Sequence, residues 1–118
     1  MSRRLERVGE ELRAEIARLL RAEVADPRVA LVTILRVDVS PDLRNALVFW
    51  SRIEQERGPN VQAVAEGLAS AAPFLRRRLA HELPLKRMPA LEFRYDAALE
   101  EGDRTLALLK EIADESTR

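Results

Sequence analysis

The sequence predicts a two-layer α+β domain, with helices covering one face of a three-stranded sheet. Three observations carry this. Apolar residues recur at helical spacing through the first two dozen positions. Two runs rich in β-branched and aromatic residues follow, separated only by Ser40-Pro41-Asp42-Leu43-Arg44-Asn45. Further helical periodicity then leads into a short alternating run, Leu91 to Tyr95. Three strands are too few for a sandwich, so helices must supply the second layer.

Each element has its own signal. Leu5, Val8, Leu12, Ile16, Leu19, Leu20 and Val24 form one stripe, which predicts the first helix. Ser2 is placed to cap it. Pro27 is expected to stop it, because proline disfavours helical geometry at Asp26. Gly9 should destabilise such a helix by about 1 kcal/mol relative to Ala. Residues 31–39 predict a strand with Leu31, Thr33, Leu35, Val37 and Val39 on one face. The turn at 40–45 and a second strand at 46–52 complete an antiparallel hairpin.

A polar loop at 53–60 precedes a helix from Val61 to Ala72. Pro73 interrupts it, yet Phe74, Leu75, Leu79 and Leu83 continue an apolar stripe beyond. Proline removes a helical hydrogen bond and crowds the preceding turn. The expectation is a kinked helix or two abutting helices. Pro84 and Pro89 frame an elbow before the third strand, where Leu91, Phe93 and Tyr95 alternate with Glu92, Arg94 and Asp96. Leu106, Leu109 and Ile112 suit a last helix over 99–113, and residues 114–118 read as a frayed tail. The order is α-β-β-α-α-β plus a C-terminal helix or tail, one domain over residues 1–113. It is the order of the type II, bacterial-type K-homology fold, a nucleic-acid-binding scaffold.

Composition narrows the chemistry. The chain has 118 residues, no cysteine and a formal net charge of zero. Disulfides and thiolate metal sites are therefore excluded. No apolar run approaches the roughly 18 residues of a membrane span, so a soluble cytoplasmic protein is expected. The zero net charge hides segregation. Residues 73–95 hold six Lys/Arg and two Asp/Glu, whereas 97–118 hold six acidic and three basic side chains. A basic face on a polar chain suits a phosphate backbone. An ordinary solvated helix face, balanced by an acidic tail, has the same composition. No glycine-rich phosphate loop, nucleophile elbow or paired metal-ligand motif occurs. His81 is the one histidine and has no ligand set around it. No enzyme, cofactor or metal is expected.

Ordered short motifs go further. Arg7-Val8 leads to Asp26-Pro27-Arg28, then Val32-Thr33-Ile34 and Val37-Asp38-Val39-Ser40 with Asp42-Leu43. Leu75-Arg76 follows, then Leu85-Lys86-Arg87-Met88-Pro89-Ala90-Leu91-Glu92-Phe93 and Tyr95-Asp96. Their order and spacing over roughly residues 3–110 resemble the ribosome-binding factor A family, bacterial small-subunit assembly proteins. The resemblance implies a non-enzymatic factor that binds free or immature 30S subunits and 16S ribosomal RNA, near the 5′-terminal helix, during late maturation. It also implies a link to growth in the cold, and cooperation with other assembly factors or GTPases. A monomer is expected. The Gly-x-x-Gly loop of K-homology domains is absent. The family commonly has an Ala-x-Gly kink there, and the matching tripeptide here is Ala71-Ala72-Pro73.

The candidate RNA contacts are arginines and lysines, which pair with phosphate. Arg76, Arg77, Arg78, Lys86 and Arg87 follow the kink and flank the elbow. The three arginines fan across about 200° of helix, so not all can face one ligand. Arg3, Arg4 and Arg7 form a second cluster where helix amides already favour anions; a plain charged first turn is the alternative. Arg28 either pairs with Asp26 at a structural corner or reaches RNA. Arg44 and Arg52 stand at the hairpin ends. Asp42 is expected to accept turn hydrogen bonds. Core packing is the expected role of Phe49, Trp50, Phe93 and Tyr95, with Trp50 the one to be partly exposed; base stacking is the alternative. Two other functions fit the same residues: a general single-strand or regulatory RNA-binding module, and a protein adaptor whose cations only solubilise it.

Overall fold

The computed structural model of the chain describes residues 3–53 and 57–97. The expected last helix and tail, and the Ser2 cap, lie outside them. Helix α1 (Arg3–Ala22) is followed by a 3-10 turn (Pro27–Val29), strands β1 (Val32–Val39) and β2 (Asn45–Arg52), helix α2 (Val61–Glu82) and strand β3 (Ala90–Tyr95). The sheet order is β1-β2-β3. β1 and β2 pair antiparallel, and β3 returns parallel to β2 after the α2 crossover. This is the expected α+β, K-homology-like arrangement.

One sheet face is buried under both helices. Val8, Leu12, Ile16, Leu19 and Leu20 of α1 meet Ile34 and Val37 of β1, and Ala46, Val48 and Trp50 of β2. Val64, Leu68, Ala71, Leu75 and Leu79 of α2 complete the core. Even-numbered β2 residues point inward, so Trp50 is 1 % exposed and Phe49 takes the outer face. The expectation of a partly exposed Trp50 is thus reversed. Tyr95 packs its ring 4.9 Å from that of Trp50.

Strand β1 also departs from simple alternation. Ile34 pairs with Trp50 and Arg36 with Phe49, so Leu35 is an extra residue in a bulge. A bulge reverses the phase of the strand. Val32 and Ile34 face inward before it, Val37 and Val39 after it. Leu31 and Thr33, expected on the core face, are exposed.

Two prolines mark the helices in different ways. α1 ends at Ala22, several residues before Pro27, which instead opens the 3-10 turn with Asp26 as its cap. Its fixed φ suits a first helical position. Of the two expected forms around Ala71-Ala72-Pro73, abutting helices are not found: α2 is one element that runs through Pro73. Its buried positions keep one helical phase on both sides of the proline. Pro73 and Ala69, whose carbonyl loses a donor, are both exposed, so water can take that bond.

Gly9 has a role that helix propensity does not show. A Cβ there would stand 2.4 Å from the Val37 carbonyl oxygen. Glycine lets α1 lie against β1 just past the bulge. Gly67 does the same for the corner: its Cβ would meet Val29 Cγ1 at 3.0 Å.

The helices are also tied at one end by charge. Arg78 reaches Glu23 at 2.6 Å and Glu82 at 2.9 Å, and Arg18 bonds Glu15 and lies 3.7 Å from Glu82. The Arg78 hydrogen bond, chiefly, holds the Glu82 carboxyl below its usual range.

Two outcomes follow. Gly9→Ala should lower unfolding free energy in urea by about 1–3 kcal/mol, although Ala is the better helix former; a gain in stability would show the contact to be unimportant. For Glu82, a folded pKa below the unfolded one means stability present above the unfolded value of about 4.5 and lost as pH falls through the folded value. The thermal midpoint of wild type should therefore exceed that of Glu82→Gln at pH 7, and the gap should shrink on acidification below pH 4.5 or so.

Candidate nucleic-acid interface

The structure sorts the predicted cations by what surrounds them. Arg78 is matched by Glu23 and Glu82, and its pKa is raised by those contacts, the Glu82 hydrogen bond foremost. Arg28 folds back on Asp26, with Nη2 2.7 Å from Oδ2 and the backbone N–H donating to Oδ1 at 2.9 Å. Those bonds, the side-chain ones first, hold the Asp26 carboxyl below its usual range. Both arginines are thus held in ion pairs within the fold, Arg28 at the Asp26-Pro27-Arg28 corner.

Others remain directed outward. Arg76 is exposed and donates to the Met88 carbonyl at 3.4 Å, which ties α2 to the elbow. Arg77, one position on, is exposed. Lys86 and Arg87 are exposed on the elbow itself. Arg3 and Arg7 are exposed on the first turns of α1. At the proposed kink, Ala71 is buried, Ala72 half-buried and Pro73 exposed, so these residues pack or face solvent without offering a polar group.

Two clusters that lie far apart in sequence meet in space. Arg4 lines one cleft with Lys86 and Arg87. The cleft measures about 310 Å³, and Val8, Leu43, Pro84, Leu85 and Pro89 supply its apolar walls. The hairpin turn closes it, because Asp42 and Leu43 also line it. Parallel pairing is what brings the elbow here: the Ala90 N–H donates to the Arg44 carbonyl at 2.8 Å, next to the turn.

The turn is tightly built. Asp42 Oδ1 accepts from the Ser40 hydroxyl at 2.6 Å and from the Arg44 N–H at 3.0 Å, the bonding expected of it. These two bonds, in that order, keep the Asp42 carboxyl below its usual range, so it is an anion at neutral pH. Ser40 Oγ in turn accepts from the Asn45 N–H at 3.0 Å. Leu43 has φ of 60°, the left-handed region, which costs a leucine roughly 1–2 kcal/mol. Sequence reading gave no sign of this, since the turn contains no glycine and Leu43 is an ordinary residue.

The outer sheet face is different in kind. The Arg36 guanidinium lies 4.0 Å from the Phe49 ring centroid, and Arg94 is the residue opposite Phe49 on β3. Arg36 and Arg94 are each near a carboxylate, Asp38 at 3.3 Å and Glu92 at 3.5 Å. On this face each of these two arginines has a carboxylate beside it, whereas the cleft is lined by Arg4, Lys86, Arg87 and Asp42. No group of three metal-ligating side chains occurs among the described residues.

Residues 4–109 match the family model described as ribosome-binding factor A. Ribosome-binding factor A of Pseudomonas syringae pv. syringae (strain B728a) is 39% identical over 112 residues, 95% of this chain and 81% of that one. The crystal structure of ribosome-binding factor A from Thermus thermophilus is similar with TM-score 0.67 and 25% identity, over 77% of this chain and 94% of that chain. A homology model of the Thermus thermophilus factor, fitted into the cryo-EM map of its 30S complex, is similar with TM-score 0.54 and 29% identity, over 74% and 93% of the two chains. With its motifs, its fold and nearly its whole length accounted for in this way, the chain belongs to the ribosome-binding factor A family.

Proposed function

We propose that this protein is a non-enzymatic maturation factor of the small ribosomal subunit, acting in the cytoplasm. It binds free or immature 30S subunits and their 16S RNA, close to the 5′-terminal helix, late in assembly. The observation that carries the reading is the convergence of Arg4, Lys86 and Arg87 on one cleft. Family membership supports the partner, and the fitted 30S complex of the Thermus thermophilus relative supports the particle.

The physical mechanism needs no bond making. Cations at the elbow and at the start of α1 draw in RNA phosphates and release their counterions. Arg76, exposed and bonded to the elbow at Met88, extends that surface along α2. A factor of this kind favours whichever RNA conformation it binds more tightly. It leaves when maturation removes that conformation, because its affinity for the finished arrangement is lower. Arg78 and Arg28 hold the scaffold in place and contribute little to the RNA contact.

Co-sedimentation with ribosomal particles tests this. Wild type should enrich on free 30S subunits over 70S ribosomes, with affinity falling steeply as salt rises. The double variant Lys86→Glu/Arg87→Glu should lose 30S association at moderate salt and flatten the salt slope by about 2, with unchanged thermal stability. Arg94→Glu, on the outer sheet face, should bind as wild type. Equal enrichment on every RNA-containing particle would make the protein a general RNA-binding module instead.

A further inference from the structure

The cleft holds more than a duplex backbone needs. Phosphates of an RNA helix require only cations on a surface, and the bases behind them are stacked out of reach. Here the cations share a concave cleft with apolar side chains that include Leu43 and Leu85. Its lining is shared about evenly between charged groups and apolar side chains, and about 310 Å³ lies at the lower end of the range for small-ligand pockets.

Asp42 is the second departure. A carboxylate beside a phosphate site weakens it, and an oxygen the turn leaves over can hold a hydroxyl. The turn occupies Oδ1 of Asp42 twice. Both of those bonds end on Oδ1 rather than Oδ2. The third is Leu43. Glycine or asparagine would adopt φ of 60° at less cost, so the strain there is the cost of placing a leucine side chain on this wall.

We propose, on the reading that the protein binds ribosomal RNA, that this cleft is a pocket for one unpaired ribonucleotide: its phosphate on Arg4, Lys86 and Arg87, its base against Leu43 and Leu85, and its ribose 2′-hydroxyl donating to Asp42 Oδ2. The protein then recognises a single-stranded or extruded nucleotide rather than helical shape. It also distinguishes RNA from DNA, since the 2′-hydroxyl alone separates them at this contact.

Fluorescence anisotropy with the full chain tests it, using a short labelled oligouridylate, an oligodeoxyuridylate of equal length and a blunt RNA duplex. Oligouridylate should bind about fivefold tighter than its deoxy counterpart, and tighter than the duplex. Asp42→Ser keeps an oxygen for the Arg44 N–H but has no atom where Oδ2 stands, so the ratio should fall to about one. Leu43→Gly should weaken oligouridylate binding about tenfold while its thermal midpoint stays level or rises. Duplex bound as tightly as single strand, or Leu43→Gly binding like wild type, overturns the pocket.

Co-sedimentation of wild type with 30S subunits reads the parent proposal separately. Wild type that shows the expected oligonucleotide pattern but ignores 30S subunits keeps the pocket and removes the ribosomal reading. Wild type that binds 30S subunits, with Leu43→Gly equal to it in both assays, keeps the ribosomal reading and removes the pocket.

Discussion

The close approach of α1 to β1 at Gly9 is the constraint on which the rest depends. A missing side chain lets the helix backbone rest on the Val37 carbonyl. The bulge at Leu35 sets the phase that turns Val37 toward the helix. Together they fix how far α1 stands from the sheet and how it is rotated. That placement buries Val8, Leu12 and Ile16 in one direction. In the other it carries Arg4 to the hairpin turn and the elbow. A helix held farther out would still be amphipathic, but its first turn would not share a cleft with Lys86.

Charge in this molecule is organised by pairing rather than by count. Equal numbers of acidic and basic residues give no net charge. Yet Arg13, Arg18, Arg28 and Arg78 each have a carboxylate within bonding distance. These pairs are partly exposed and contribute modestly to stability; their larger effect is to remove those cations from the external field. Lys86 and Arg87 face solvent on the elbow, and Arg76 and Arg77 are exposed on α2. Such a local field steers a polyanion even when the molecule as a whole is neutral.

Much of this was legible in the sequence, and the exceptions have physical causes. The α1 stripe, the hairpin and the third strand follow from period and turn chemistry, which are local. The inner face of β1 did not, because a bulge adds one residue without any mark in the sequence and moves Leu31 and Thr33 outward. The Phe49 and Trp50 assignment turned on the same one-residue phase. Pro73 signalled an interruption that the continuous burial of Leu68, Ala71, Leu75 and Leu79 overrode. At the site, Lys86, Arg87 and Arg4 were each nameable as basic residues. Their shared cleft was not, because it arises from parallel pairing between strands separated by a whole helix. Nor could the sequence tell Arg78 from Arg77, neighbours with opposite surroundings.

That parallel pairing has a consequence for the order in which the molecule becomes competent. The hairpin and α1 can form from nearby segments, but β3 reaches β2 only after α2 has crossed the sheet. Closing so long a loop is entropically slow compared with forming a turn. The Ala90 to Arg44 bond, and with it the cleft, belongs to that last closure. A chain still emerging during synthesis therefore has its helix and hairpin before its cleft, which is complete only once β3 has docked.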